Sequence, residues 1–256
     1  MSKKVGGKHA FLLFCYPFPI KLKPRQAAFL HSAEHFTIDF ENKKIAGYKW
    51  GSGPQKVLCL HGWQSQSYRW KKYIESLPSD THTIYSIDAP GHGNSEGRIF
   101  NVPMYARLIE QCLHEKDIDY VLAHSLGAFS AMSLFHEKPQ LSPSKMAVLG
   151  TPGEATEFVD FFMSELKLKP RVRRNFISYF NNYAGHGPEF YSIEKFAKGQ
   201  KAEGLIIHDE KDLEAPYHYA QKIDMLWPNS RLMTTSGLGH KLRGIEVVDE
   251  VVKFFG

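Results

Sequence analysis

Three side chains far apart in the chain have the types and the order that acyl transfer requires. Ser125 lies in "YVLAHSLGAFSAM", residues 120–132, where an apolar run stops at the serine and a helical pattern begins at once. Asp209 and Asp212 follow the apolar run of "GLIIHDEKDLEAP", and His240 follows that of "RLMTTSGLGHKLRG". A serine hydroxyl is a weak nucleophile until a base takes its proton, and that base needs a carboxylate to fix its tautomer. Ser125 therefore reads as nucleophile, His240 as base, and Asp212 or Asp209 as the orienting acid. Ala123 and Gly127 are small, as a sharp turn from strand into helix demands; such a turn exposes the serine in a strained conformation and aims a helix N-terminus at the site. Two backbone N–H groups suit a developing oxyanion: that of Leu126, directly after the serine, and that of Trp63, after Gly62 in "LCLHGWQSQ".

A small-x-Ser-x-Gly pattern alone is weak. It arises by chance roughly 0.2 times in a chain of this length at average composition, and serine is also a common helix N-cap. The surrounding elements must carry the argument. "HFTIDF" (35–40) alternates as a half-buried strand does, and "KIAGYKWGSGP" (44–54) reads as its hairpin partner, ended by Gly51, Gly53 and Pro54. Continuous apolar runs follow at 56–60, 83–87, 120–124, 146–150, 204–208 and 231–235. Helical patterns lie between them near 66–77, 102–116, 126–138, 216–227 and 246–255. This alternation predicts a mostly parallel sheet of about eight strands with helices on both faces. In such sheets ligands bind beyond the carboxyl ends of the strands, where Ser125, Asp212 and His240 fall. Residues 152–203 hold about three helical patterns and no convincing strand, an excursion that predicts a cap.

The chain resembles the α/β-hydrolase superfamily, in its serine-nucleophile, esterase- or lipase-like form. The resemblance rests on five motifs in order: His61-Gly62 after the third strand, "DAPGHGNS" (88–95) after the fourth, "AHSLG" (123–127), "HDEKDLEAP" (208–216) and "GLGH" (237–240). Two positions depart from the usual pattern, with Ala123 in place of the first glycine of the elbow and Asp209 in place of a frequent glycine after His208. Position in the motif favours Asp212 over Asp209 as the acid. The resemblance implies an N-terminal extension over 1–34 and a hydrolase domain over 35–256 with its cap at about 152–203. It also implies hydrolysis of a carboxylic ester of a small or medium apolar acyl substrate through an acyl-enzyme, with no metal or organic cofactor. A serine at the nucleophile position sets the chain apart from superfamily members that use aspartate there, the haloalkane dehalogenases and epoxide hydrolases. The same triad serves thioester, amide and C–C bond hydrolysis and perhydrolysis, and the fold also serves as a non-catalytic receptor.

The rest of the chain is read more plainly. Asp88 and His92 in "DAPGHGNS" are too few for a usual zinc site and read as parts of a tight turn. His61 and His124 read as loop-orienting residues. The aromatic stripe Phe158, Phe161, Phe162, Phe176, Tyr179, Phe180 and Tyr183 reads mainly as packing of the cap, and in part as an acyl pocket. "KLKPRVRR" (167–174) reads as a solvated helix end. A net charge of +5 over 256 residues with no aromatic-interleaved basic patch argues against nucleic acid. No apolar run reaches membrane-spanning length. The three cysteines, Cys15, Cys59 and Cys112, imply reduced thiols and a cytoplasmic setting. "MSKKVGGKHAFLLFCYPFPI" resembles a signal peptide, but Pro17 and Pro19 interrupt its apolar run; it reads as a surface strand or docking segment leading into a helix over 24–33.

Overall fold

Each apolar run becomes a strand: β1 (Glu34–Phe40), β2 (Lys43–Trp50), β3 (Gln55–Leu60), β4 (His82–Ile87), β5 (Tyr120–His124), β6 (Lys145–Leu149), β7 (Glu203–Asp209) and β8 (Ser230–Thr235). The structure is a computed structural model and describes residues 3–256, with side chains from Gly6 onward. Met1 and Ser2 of the N-terminal extension lie outside the described residues. One eight-stranded sheet has the order β1-β2-β4-β3-β5-β6-β7-β8. The six strands β3 to β8 run parallel, while β2 is antiparallel to both β1 and β4. The β1–β2 connection is two residues, Glu41 and Asn42, at φ 46° and 59°. Positive φ at both positions gives the twist that a tight hairpin needs.

Ten helices accompany the sheet: α1 (Lys3–Phe14), α2 (Pro24–His31), α3 (Lys71–Ser76), α4 (Val102–Lys116), α5 (Leu126–Glu137), α6 (Ala155–Glu165), α7 (Pro170–Ala184), α8 (Ile193–Ala197), α9 (His218–Leu226) and α10 (Ile245–Phe255). The central strands are buried on both faces, which is why they read as unbroken apolar runs. On one face Trp70, Val247, Val251 and Phe255 from around α3 and α10 cover Val57, Leu122 and Leu205. On the other, Met104, Ile109, Phe129 and Phe135 of α4 and α5 cover Leu58, Val121 and Val148, and this core continues into α1, α7 and α8. Among the described residues no helix is long and apolar enough to cross a membrane.

The N-terminal segment is a helix rather than a strand, and it docks on α7. Phe11 is buried, with its ring 5.2–5.7 Å from those of Phe176, Tyr179, Phe180 and Tyr183. Gly7 lets the two backbones meet: a Cβ there would lie 2.5 Å from the Asn175 carbonyl carbon. Three helices, α6, α7 and α8, occupy the interval between β6 and β7. The basic run 167–174 leads into α7 from Pro170 and is exposed apart from the half-buried Leu168 and Val172.

Truncating the buried ring removes the anchor of α1. Phe11→Ala is expected to cost about 3–5 kcal/mol of local docking free energy. Hydrogen exchange should show residues 6–14 losing protection well before the sheet; protection as in the wild type would contradict this packing.

Candidate active site

Ser125 sits where β5 turns into α5, at φ 53° and ψ −126°. Such a conformation costs a non-glycine residue on the order of 1–3 kcal/mol and persists only when the surroundings enforce it. The Ser125 N–H donates to the Leu149 carbonyl at 2.9 Å, and its own carbonyl accepts from Phe129 N–H at 3.0 Å. Glycines supply the space. A Cβ on Gly127 would lie 2.4 Å from the Leu60 carbonyl oxygen, and one on Gly62 would lie 2.7 Å from the Ser125 Cβ. The chain after β3 thus passes directly against the elbow.

His240 lies in a short helical turn after β8, with Gly237 and Gly239 at φ 94° and 57° on its approach. Its Nε2 is 3.0 Å from Ser125 Oγ, and its Nδ1 is 2.8 Å from Asp212 Oδ2. The second oxygen of Asp212 accepts from the N–H groups of Glu214 and Ala215 at 2.8 and 2.9 Å. Burial works against charge on Asp212, but hydrogen bonding from His208, His240 and the Ala215 N–H outweighs it and holds the carboxyl well below its usual range. Asp209 faces elsewhere. Its carboxylate accepts from Thr235 Oγ1 and Leu238 N–H, each at 2.8 Å, and from Lys211 and Gly237 N–H at 3.0 and 3.2 Å. It pins the loop that leads to His240 and does not touch the imidazole.

Of the two oxyanion candidates, Leu126 follows the serine directly and Trp63 follows Gly62, which packs against the serine. As the first residue of α5, Leu126 has an N–H with no acceptor inside its own helix. The Trp63 N–H has no acceptor among the described residues. Neighbouring histidines serve the loops. His61 donates from Nδ1 to the Gly62 carbonyl at 2.8 Å and accepts the Ala89 N–H on Nε2 at 2.9 Å. His92 accepts the Gln64 N–H, and His124 donates to the His240 carbonyl at 2.8 Å. Burial drives His61 down to about 4 and His92 to about 3, and pushes His124 well below the ordinary imidazole range. Asp88 is likewise a turn residue, accepting from Ser67 and Asn94 N–H groups and from the Tyr48 hydroxyl. Among the described residues no group of three or more His, Cys, Asp or Glu side chains is arranged to hold a metal. Cys15, Cys59 and Cys112 are free and buried.

Ser125 and His240 open into a cavity of about 560 Å³. Trp63, Phe129, Phe158, Phe162, Phe180 and Tyr191 contribute to its apolar lining, while Phe176 and Tyr179 pack around Phe11. The cap aromatics therefore divide between pocket and packing. One wall was not read from the sequence: Leu13 and Phe14 of α1, with Tyr16 and Phe18 beyond it, also line the cavity. The only sequence signal for this wall is the apolar run "AFLLF", which carries no pocket pattern.

A family model described as the Alpha/beta hydrolase family matches residues 57–253. A serine hydrolase-like protein of Danio rerio is 30% identical over 190 residues, which is 70% of this chain and 56% of that protein. The pimeloyl-[acyl-carrier protein] methyl ester esterase of Vibrio parahaemolyticus is 31% identical over 108 residues, 42% of this chain and 41% of that enzyme. The chain thus spans about half the length of these curated relatives. Among solved structures, an esterase from Exiguobacterium antarcticum superposes with a TM-score of 0.67 at 18% identity, covering 87% of this chain and 99% of that one.

The neutral histidines have a consequence for stability. Their folded values lie below the unfolded reference of about 6.5, so the unfolded chain binds protons first as the pH falls. Their contribution is complete above about pH 6.5 and is lost as the pH falls toward about 4 for His61 and about 3 for His92. Urea unfolding across this range should show that loss, and ring resonances of His61, His92 and His124 should stay in the neutral form down to about pH 5. A charged His61 at that pH would contradict the burial argument.

Proposed function

The chain belongs to the alpha/beta hydrolase family, and from that premise we propose that it hydrolyses carboxylic esters of small or medium apolar acyl groups through a serine acyl-enzyme. The observation that carries this reading is the Ser125–His240–Asp212 chain, with separations of 3.0 and 2.8 Å, whose Ser125 and His240 line an apolar cavity. Ser125 Oγ attacks the ester carbonyl while His240 Nε2 takes its proton. The tetrahedral oxyanion lies between the N–H groups of Leu126 and Trp63. The imidazolium then protonates the leaving alkoxide, and the acyl group stays on Ser125. A water molecule, deprotonated in turn by His240, releases the acid. Asp212 remains ionised throughout, fixes the tautomer that presents Nε2 to the serine, and favours the imidazolium.

The substrate class follows from the lining. Aromatic side chains fill the walls, and the carboxylates among them are Glu165 and Glu214. An uncharged acyl chain loses little on entering, whereas an anionic one meets like charge and an apolar wall. The relative named as a methyl ester esterase supports ester over amide chemistry.

Ser125→Ala is expected to lower kcat on p-nitrophenyl esters by a factor on the order of 10⁶. Near-wild-type turnover in that variant ends the reading. Asp212→Asn should lower kcat by about 10⁴ with the fold intact. Asp209→Asn should instead lower thermal stability, since its carboxylate holds a loop rather than the imidazole; the opposite ranking of the two in kcat would exchange their roles. Phe14→Ala opens the α1 wall and should shift kcat/KM toward longer acyl chains, relative to acetate, by about tenfold. An unchanged chain-length profile would remove α1 from the acyl site.

A further inference from the structure

A second depression, of about 330 Å³, lies between α2, α3 and the segment just after His240. It shares no lining residue with the apolar cavity. Six cationic side chains line it: Arg25, Arg69, Lys71, Lys72, Lys241 and Arg243. Its one carboxylate, Glu75, is paired with Lys71 one turn away on α3. Among the described residues none of the other five cations has a carboxylate within ion-pair distance.

We propose that this depression binds a compact polyanion carrying phosphoryl groups. Arg69 carries the argument. Its guanidinium Nη2 donates to the Lys241 carbonyl at 3.0 Å, and its Cζ stands 5.3 Å over the Trp70 ring. Its Nε is buried with no hydrogen-bond partner. The Arg69 side chain is half-buried, so part of its guanidinium faces the depression, and a cation partly withdrawn from water with no carboxylate beside it is ordinarily paired. Burial pulls the Arg69 guanidinium down to about 10; Tyr73 offsets part of this and Arg243 adds to it. The protein thus holds cations together against both desolvation and mutual repulsion, and an anion between them relieves both.

Concavity and donor type narrow the ligand. A guanidinium fork and clustered ammonium groups match phosphoryl oxygens, through short charge-assisted hydrogen bonds. A depression of this volume suits a small multiply charged group rather than an extended strand. Lys72 Nζ also donates to the Arg243 carbonyl at 3.4 Å, so two lining cations already hold the backbone after His240. A bound anion would brace that segment from behind. Two sources share this chemistry: a soluble phosphate ester and the headgroup of an anionic lipid.

The test is calorimetric titration of the full chain with inorganic pyrophosphate at low ionic strength. Saturable one-site binding that weakens with salt is expected. The double variant Lys241→Gln/Arg243→Gln should weaken it by about tenfold or more. Both side chains are exposed, and the backbone carbonyls that Arg69 and Lys72 hold are kept. Lys169→Gln/Arg171→Gln removes equal charge from the basic run at the start of α7 and should leave the affinity unchanged. In a parallel arm, vesicles of phosphatidylcholine with and without phosphatidate are sedimented with the protein. Pyrophosphate binding assigns a soluble ligand; phosphatidate-dependent sedimentation lost in the first double variant, without pyrophosphate heat, assigns a lipid headgroup. Binding in neither arm overturns the proposal, as does equal weakening by both double variants. Neither result bears on Ser125, so the esterase reading stands or falls separately.

Discussion

Everything at the site depends on how closely three stretches of backbone approach one another around Ser125. The end of β5 must turn into α5 without spreading, and the chain leaving β3 must pass beside that turn. The positive φ of Ser125 is the local cost of this approach, and Gly62 and Gly127 are the conditions for it. Hydrogen bonds from the elbow to Leu149 and Phe129 hold the strained residue on both sides. The geometry is then fixed by the sheet itself, since β3, β5 and β6 are neighbours in it. The backbone of the serine is held in this way, and its hydroxyl then meets His240 Nε2 at 3.0 Å.

Electrostatics builds on that rigidity. Burial keeps His61, His92 and His124 uncharged; each donates from one ring nitrogen to a backbone carbonyl, and in His61 and His92 the other, unprotonated nitrogen accepts a backbone N–H. Asp212 goes the other way. Its hydrogen bonds outweigh its desolvation, and the group in contact with the His240 imidazole is an ionised carboxylate. The two acids at the end of β7 divide the work: Asp212 faces the imidazole, and Asp209 ties the loop that carries it.

Much of this was legible in the sequence because it is local. A parallel strand buried on both faces is an apolar run, and a residue at its carboxyl end is by topology at the ligand edge. Ser125, Asp212 and His240 each stand at such an end. In the sequence the preference for Asp212 over Asp209 rests on motif position alone; in the structure Asp212 meets the His240 ring, and Asp209 meets only the Thr235 hydroxyl and backbone N–H groups. What the sequence hid is long-range. Nothing in "AFLLF" says that α1 will lie on α7, a hundred and more residues away, because the deciding features are one glycine that permits contact and one ring that fills a hole. Arg69 meets Lys241 across 172 positions of sequence, so neither residue announces the basic depression.

The two kinds of construction have different consequences for how the site can change. The elbow and its partners rest on sheet hydrogen bonds and close backbone contacts, where even one added carbon collides. The cavity wall rests on aromatic side chains of α1, α6 and α7, which lie outside the sheet and meet one another through ring contacts. Ring packing tolerates exchange of one apolar side chain for another of similar volume far better than a close-packed backbone tolerates any. The shape of the cavity can therefore drift through substitutions in three helices while the positions of Ser125, His240 and Asp212 stay fixed. The docked α1 makes this separation sharper, because it contributes Leu13 and Phe14 to the cavity and no residue to the hydrogen-bonded chain of Ser125, His240 and Asp212.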